Sequence, residues 1–101
     1  MGSGLKVPVV DRAKQYTIYY EGLKTPIGLM TFVHCDIHTK WTKDIKRQLK
    51  ADFGWLIEAR QQPLHCLRHN KKQEKFIRMF GFQFSYEMPE HGIDVYILEI
   101  E

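Results

Sequence analysis

The sequence predicts an α+β fold: a mixed sheet with two helices, in the order β-β-α-β-α-β-β. Three observations predict it. Stretches rich in β-branched and aromatic residues lie near both ends of the chain, from Tyr16 to Val33 and from Phe82 to Ile100. Between them the apolar period changes to steps of three and four, at Ile45, Leu49, Phe53, Leu56 and Ile57, which is a helical stripe. A short apolar segment, Leu64 to Arg68, then separates two helical stretches. A strand-helix-strand unit of this kind requires a parallel pair joined by a right-handed crossover, whereas the hairpins at either end require antiparallel pairs.

Each element follows from local chemistry. Residues 1–14 mix Gly, Pro and charges without a period and read as a flexible arm, leaving residues 15–101 as a single domain. Tyr16 to Tyr20 is the first strand and opens the sheet as a candidate exposed edge, Gly22 to Pro26 the turn, and Ile27 to Val33 the second strand. Thr39 and Thr42 are both candidate N-caps for the first helix, and Asp44 complements its first-turn dipole. Gly54 interrupts that helix at a cost of about 1 kcal/mol relative to Ala, and Pro63 ends the region. Asn70 caps a second helix from Lys71 to Phe80, with Phe76, Ile77 and Phe80 inward and Gly81 just past its end. Phe82 to Met88 and Ile93 to Ile100 are the last two strands, turning at Pro89, His91 and Gly92. The final strand carries apolar residues on both faces, Val95 and Ile97 against Tyr96 and Leu98, so it is expected to be covered on both sides.

Composition narrows the function. The chain has 101 residues, 44% hydrophobic and 27% charged, with thirteen aromatics, the balance of a packed globular domain. No apolar run approaches the roughly 20 residues that span a bilayer. The first residues show no signal pattern, and two cysteines suit a reducing compartment, so the expected location is cytoplasmic with no membrane contact. The net charge of +3 permits an anionic ligand without demanding one. Lys40, Lys43, Lys46, Arg47 and Lys50 form one basic run; Arg68, Lys71, Lys72, Lys75 and Arg78 form another. Either is a solvated helix face, or a positive surface for phosphates, nucleic acid or an acidic protein. Without aromatics interleaved with Gly and Arg, nucleic acid is the lesser of these. Trp41 and Trp55, with Tyr16, Tyr19 and Tyr20, serve as core or as stacking platforms.

Two segments repeat one pattern: His34-Cys35-Asp36-Ile37-His38 and His65-Cys66-Leu67-Arg68-His69. Cys and His are the ligands zinc prefers, so Cys35, His38, Cys66 and His69 form a possible metal set, or a thiol-imidazole pair for nucleophilic chemistry. The competing reading makes both cysteines small buried hydrophobes, and zinc is not expected.

Residues 70–82, from Asn70 through Phe76, Ile77 and Gly81 to Phe82, resemble the last helix of the GNAT N-acetyltransferase superfamily, in which an Asn-capped helix ends in Gly-Phe. The strand pair that follows and the basic helix before it match by element order over residues 16–101, and the likeness is nearest to the small divergent GNAT-like proteins of tailed phages. An ordinary capped helix with a glycine stop is the alternative reading. The resemblance implies a truncated GNAT-like fold that binds acetyl-CoA and transfers an acetyl group to a protein or small amine. It places cofactor contacts at Val33, Thr39, Lys40, Thr42, Lys43, Asn70 and Phe76, with the pyrophosphate held by the loop 34–42 at the start of the basic helix. Candidate bases are His34 and His69. The sequence departs from the family pattern twice: the loop contains no glycine, and Ile77 occupies the position where a Tyr usually acts as general acid. The resemblance therefore leaves two functional expectations. One is an acetyltransferase. The other is a degenerate GNAT fold, phage-encoded and in the host cytoplasm, that binds or inhibits a host protein. A zinc-stabilised adaptor is a third. A homodimer through the N-terminal hairpin would cover an exposed sheet edge.

Overall fold

The computed structural model describes residues 6–25, 28–68, 71–88 and 92–99. They form six strands and two helices, an α+β fold: β1 (Lys6–Asp11), β2 (Tyr16–Thr25), β3 (Gly28–Ile37), α1 (Lys43–Arg60), β4 (Leu64–Arg68), α2 (Lys71–Met79), β5 (Gln83–Met88) and β6 (Ile93–Leu98). The chain divides between Phe53 and Gly54, inside α1, into two compact units. None of the described helices is long and apolar enough to cross a membrane.

In the first unit β1, β2 and β3 form an antiparallel meander. The expectation of a loose arm over residues 1–14 is corrected here, because Lys6–Asp11 pairs with β2 from Lys6↔Glu21 to Asp11↔Thr17. Local pattern gave no hint of it: Pro8 sits inside the strand, and the register shifts between Pro8 and Val10. Pro is tolerated on an outer strand at a bulge, where no ladder donor is needed. The assignment of Tyr16 to Tyr20 as an exposed edge is corrected with it, since β2 is paired on both sides. The turn also falls later than Gly22 to Pro26. Gly22 pairs with Thr31 inside the ladder, and pairing continues to Thr25↔Gly28. Flanking pairs Glu21↔Phe32 and Leu23↔Met30 hold the backbone extended through the glycine. Gly28 has φ of 117°, a conformation that favours glycine. Tyr16, Ile18, Phe32, Val33, Ile45, Leu49 and Phe53 are the buried apolar residues of this unit.

The helix α1 starts where the sequence offers a cap. Of the two candidates Thr42 is used: its Oγ1 accepts from the Ile45 N–H at 3.1 Å, and its carbonyl accepts from the Lys46 N–H. All five residues of the expected stripe are buried.

In the second unit β4 and β5 flank β6, both antiparallel to it. Val95 and Tyr96 are consecutive and both buried, so β6 is covered on both faces as its composition predicts. The helix α2 buries Ile77, followed by buried Phe80, while Phe76 is half-buried with its ring 5.0 Å from that of Phe80. Gly81 has φ of 90°, the left-handed stop expected there, and its N–H bonds the Arg78 carbonyl.

Candidate functional site

The exposed His34 and Asp36 lie on one face of the meander, with polar neighbours from β2. Side chains alternate along a strand, so His34 and Asp36 of β3 share a face, and the register places Tyr19 and Thr17 of β2 opposite them. The geometry follows. His34 Nε2 lies 2.9 Å from Asp36 Oδ1, and both side chains are well exposed, at 38% and 49%. A carboxylate only accepts, so Nε2–H is the donor, which in a neutral imidazole leaves the lone pair on Nδ1. The Tyr19 ring lies 6.2 Å from the imidazole.

Beside this pair is a second polar group. Thr17 is buried, and its Oγ1 lies 2.9 Å from His38 Nε2 and 3.4 Å from Asp11 Oδ1. The His38 N–H also donates to the Gln15 carbonyl, tying the end of β3 to the β1–β2 turn. That turn holds Ala13 at φ of 52°, with its N–H on Asp11 Oδ1.

On the other face, Tyr16 and Arg12 both reach α1. The Tyr16 hydroxyl donates to Asp52 Oδ2, and Arg12 donates through Nε at 3.1 Å and an Nη at 2.6 Å. Burial, and then the hydrogen bond and charge of Asp52, raise the Tyr16 hydroxyl well above its ordinary pKa. Asp52 is a charged residue buried inside an apolar stripe, and it is satisfied there three times over. Sequence reasoning missed it, yet the signal was present. Asp52 lies three residues after Leu49 and four before Leu56, on the buried side of the helix.

The structure sorts the expected site residues. The loop 34–42 is corrected: β3 runs through His34, Cys35, Asp36 and Ile37, so the connection to α1 is only 38–42. Ladder pairs Tyr19↔His34, Ile18↔Cys35, Thr17↔Asp36 and Tyr16↔Ile37 hold those four residues extended. Thr39, Lys40, Thr42 and Lys43 are exposed around the helix start, while Val33 is a buried strand residue. His69 and Asn70 lie outside the described residues.

Cys35 is half-buried, and burial, then the charges of Asp36 and Asp52, push its thiol up to about 12. Cys66 is buried in β4, opposite Tyr96 of β6, and burial pushes it up to about 12 as well. Neither is an activated nucleophile. Among the described residues no three His, Cys, Asp or Glu side chains gather as metal ligands.

The second basic run is partly spent on internal pairing. Arg68 donates through an Nη to Asp94 Oδ2 at 3.0 Å. Its Nε lies 2.9 Å from Glu74 Oε1, an ion-pair distance, but its N–H is not directed into a hydrogen bond. Arg78 donates to the other Glu74 oxygen and lies 5.7 Å from the centre of the Tyr96 ring. Ile77 is buried and apolar, so its side chain has no proton to give.

Comparison with protein-family models, with curated proteins and with solved structures found no match. The class is therefore stated from the structure alone: a small α+β protein with an exposed His-Asp pair on a strand that leads into a capped, basic helix.

Proposed function

We propose that this chain is a GNAT-like N-acetyltransferase that takes acetyl-CoA and an amine, with His34 as the base. The observation that carries the reading is the 2.9 Å pair between His34 Nε2 and Asp36 Oδ1, exposed on the strand before the helix start. In the reaction the amine nitrogen attacks the acetyl carbonyl. A C–N bond forms, the C–S bond breaks, and the thiolate of CoA leaves. The amine must lose a proton, and an alkylamine such as lysine has a pKa of about 10.4, so a base is indispensable at neutral pH. His34 Nδ1 accepts that proton, and Asp36 stabilises the resulting imidazolium through Nε2–H. The leaving thiol has a pKa near 8.5, so its thiolate tolerates the absence of an acid far better than the amine tolerates the absence of a base. That asymmetry makes Ile77 compatible with the reaction. Lys40 and Lys43, beside the Thr42 cap, supply charge for the phosphates of the cofactor, where the family uses glycine-rich backbone.

The glycine-free connection favours a second reading, a GNAT fold that has lost catalysis and binds another macromolecule. One experiment separates them. Titration with acetyl-CoA is followed by thermal shift, and acetylation of a panel of amines is assayed with the parent chain and with His34→Gln. The first reading expects a rise in Tm with cofactor and a loss of about 10²–10⁴-fold in kcat in the variant. No shift at millimolar cofactor refutes it and leaves the second.

A further inference from the structure

The helix α1 is buried along one side, at Ile45, Leu49, Asp52, Phe53, Leu56 and Ile57. On its outer side Arg47, Ala51, Gly54 and Glu58 are exposed, and their steps of four, three and four residues align them in one row. Trp55 stands on the flank of that row and is 60% exposed. All five belong to a single helix, so their spacing is set by α1 itself. Tryptophan offers one of the largest apolar burials of any side chain, and here more than half of it remains in water.

The row has a cation at one end and an acid at the other, about 16 Å apart along the axis, with only small residues between them. Read in reverse it keeps the same steps with the charges exchanged. A second copy laid antiparallel therefore sets Arg47 against Glu58 of the partner subunit and Ala51 against Gly54 of the partner subunit, and a two-fold axis repeats both contacts. Trp55 then closes over Ala51 of the partner subunit. The antiparallel arrangement also keeps like charge apart. The first half of α1 carries Lys43, Lys46, Arg47 and Lys50 against Asp44, four cations and one acid for a net +3, and a parallel pair would stack the two halves together. Asp44 does not claim Arg47, since their 3.5 Å contact joins side chains that are 80% and 90% exposed.

We infer that the outer face of α1 is the interface of an antiparallel homodimer, held by Arg47–Glu58 pairs across a two-fold axis and anchored by the Trp55 of each copy. The occupant is a second copy because the row is complementary to itself, in charge and in spacing, and an unrelated partner would need no such symmetry. A single helix face lies at the lower end of interface sizes, below about 1,200 Å², so the dimer dissociates on dilution. This goes beyond the acetyl-transfer reading and does not depend on it, since Arg47, Ala51, Trp55 and Glu58 have no role in that site.

The test is sedimentation equilibrium of the full chain over a series of concentrations up to about 1 mM, the weakest class of specific binding. The expected result is a mass that rises from one chain to two. Arg47→Glu and Glu58→Arg each place like charges across the axis, and each weakens association by about two- to thirty-fold, the worth of two exposed ion pairs. Arg47→Glu combined with Glu58→Arg restores the pairing with its ends exchanged and returns the parent dissociation constant within about twofold. Trp55→Ala weakens association at least tenfold, as expected for the loss of a central anchor from each copy. All four substituted residues face solvent in the single chain, and circular dichroism should show each variant folded. A monomer at every concentration overturns the inference. So does a dimer that Trp55→Ala leaves unweakened, or one that the charge exchange fails to restore in a folded protein.

Discussion

Replacing Asp52 with Ala removes the carboxylate that joins β2, the β1–β2 turn and α1. Its cost can be built from the three bonds. The Tyr16 hydroxyl is fully buried and loses its acceptor, a penalty of about 1–3 kcal/mol. Arg12 is 42% exposed, so water replaces the lost carboxylate and its share is at most about 1 kcal/mol. Alanine is the better helix former by up to about 0.7 kcal/mol, which offsets part of the loss. The net expectation is a destabilisation of about 2 kcal/mol, or a fall in Tm of about 8–16 °C for a domain of this size. Urea denaturation of the parent, Asp52→Ala, Tyr16→Phe and the double variant measures it. The double-mutant cycle should give a coupling of at least about 1 kcal/mol, because Asp52→Ala strands the buried Tyr16 hydroxyl, whereas with Phe at position 16 there is no hydroxyl to strand and Asp52 keeps its two bonds from Arg12. A cost below about 0.5 kcal/mol for Asp52→Ala, or strict additivity, would refute the claim that this carboxylate is held by buried hydrogen bonds.

The same triad sets an alkaline limit. Tyr16 is raised in the fold above its unfolded pKa of 10, so the unfolded chain loses this proton first. Its contribution is complete below pH 10 and is lost as pH rises beyond it, and Tyr16→Phe flattens that decline.

Three further outcomes are expected. Gly54→Ala should stabilise the protein by about 1 kcal/mol, because the position is helical, an added Cβ meets nothing within 4 Å, and alanine is the better helix former; a thermal melt that falls instead would contradict this. Both thiols should resist an aromatic disulfide reagent at pH 8 and react once the chain is unfolded, because burial holds each at about 12; a cysteine that labels at once in the folded protein would show the burial to be wrong. His65 is held below its ordinary pKa, first by burial and then by the charge of Arg60, against a smaller opposing pull from Glu99. Its neutral form is favoured in the fold, so this stability is present above pH 6.5 and is lost as pH falls below it; His65→Gln should lessen the acid sensitivity in pH-dependent urea melts.

Much of the architecture was legible because it is local. The stripe at Ile45, Leu49, Phe53, Leu56 and Ile57, the Thr42 cap and the Gly81 stop each depend on residues within a turn or two, and chain and structure agree on them. The pair of His34 and Asp36 was also within reach, since strand alternation puts residues two apart on one face; treating that segment as loop concealed it. The expected loop 34–42 is shortened because ladder pairing with β2 carries β3 through Ile37.

The sequence by itself determined the two helices, most of the strands, and that positive charge collects in two runs, Lys40 to Lys50 and Arg68 to Arg78, because period, caps and charge are written in neighbouring residues. The tertiary structure alone decided that Lys6–Asp11 is a strand, that β2 lies between two partners, that Thr17 meets His38 and Asp11, and that Asp52 closes on Tyr16 and Arg12. An outer strand with a proline has little local preference and forms only when a neighbour offers its hydrogen bonds. A buried carboxylate is tolerated only when partners 36 and 40 residues away arrive to satisfy it.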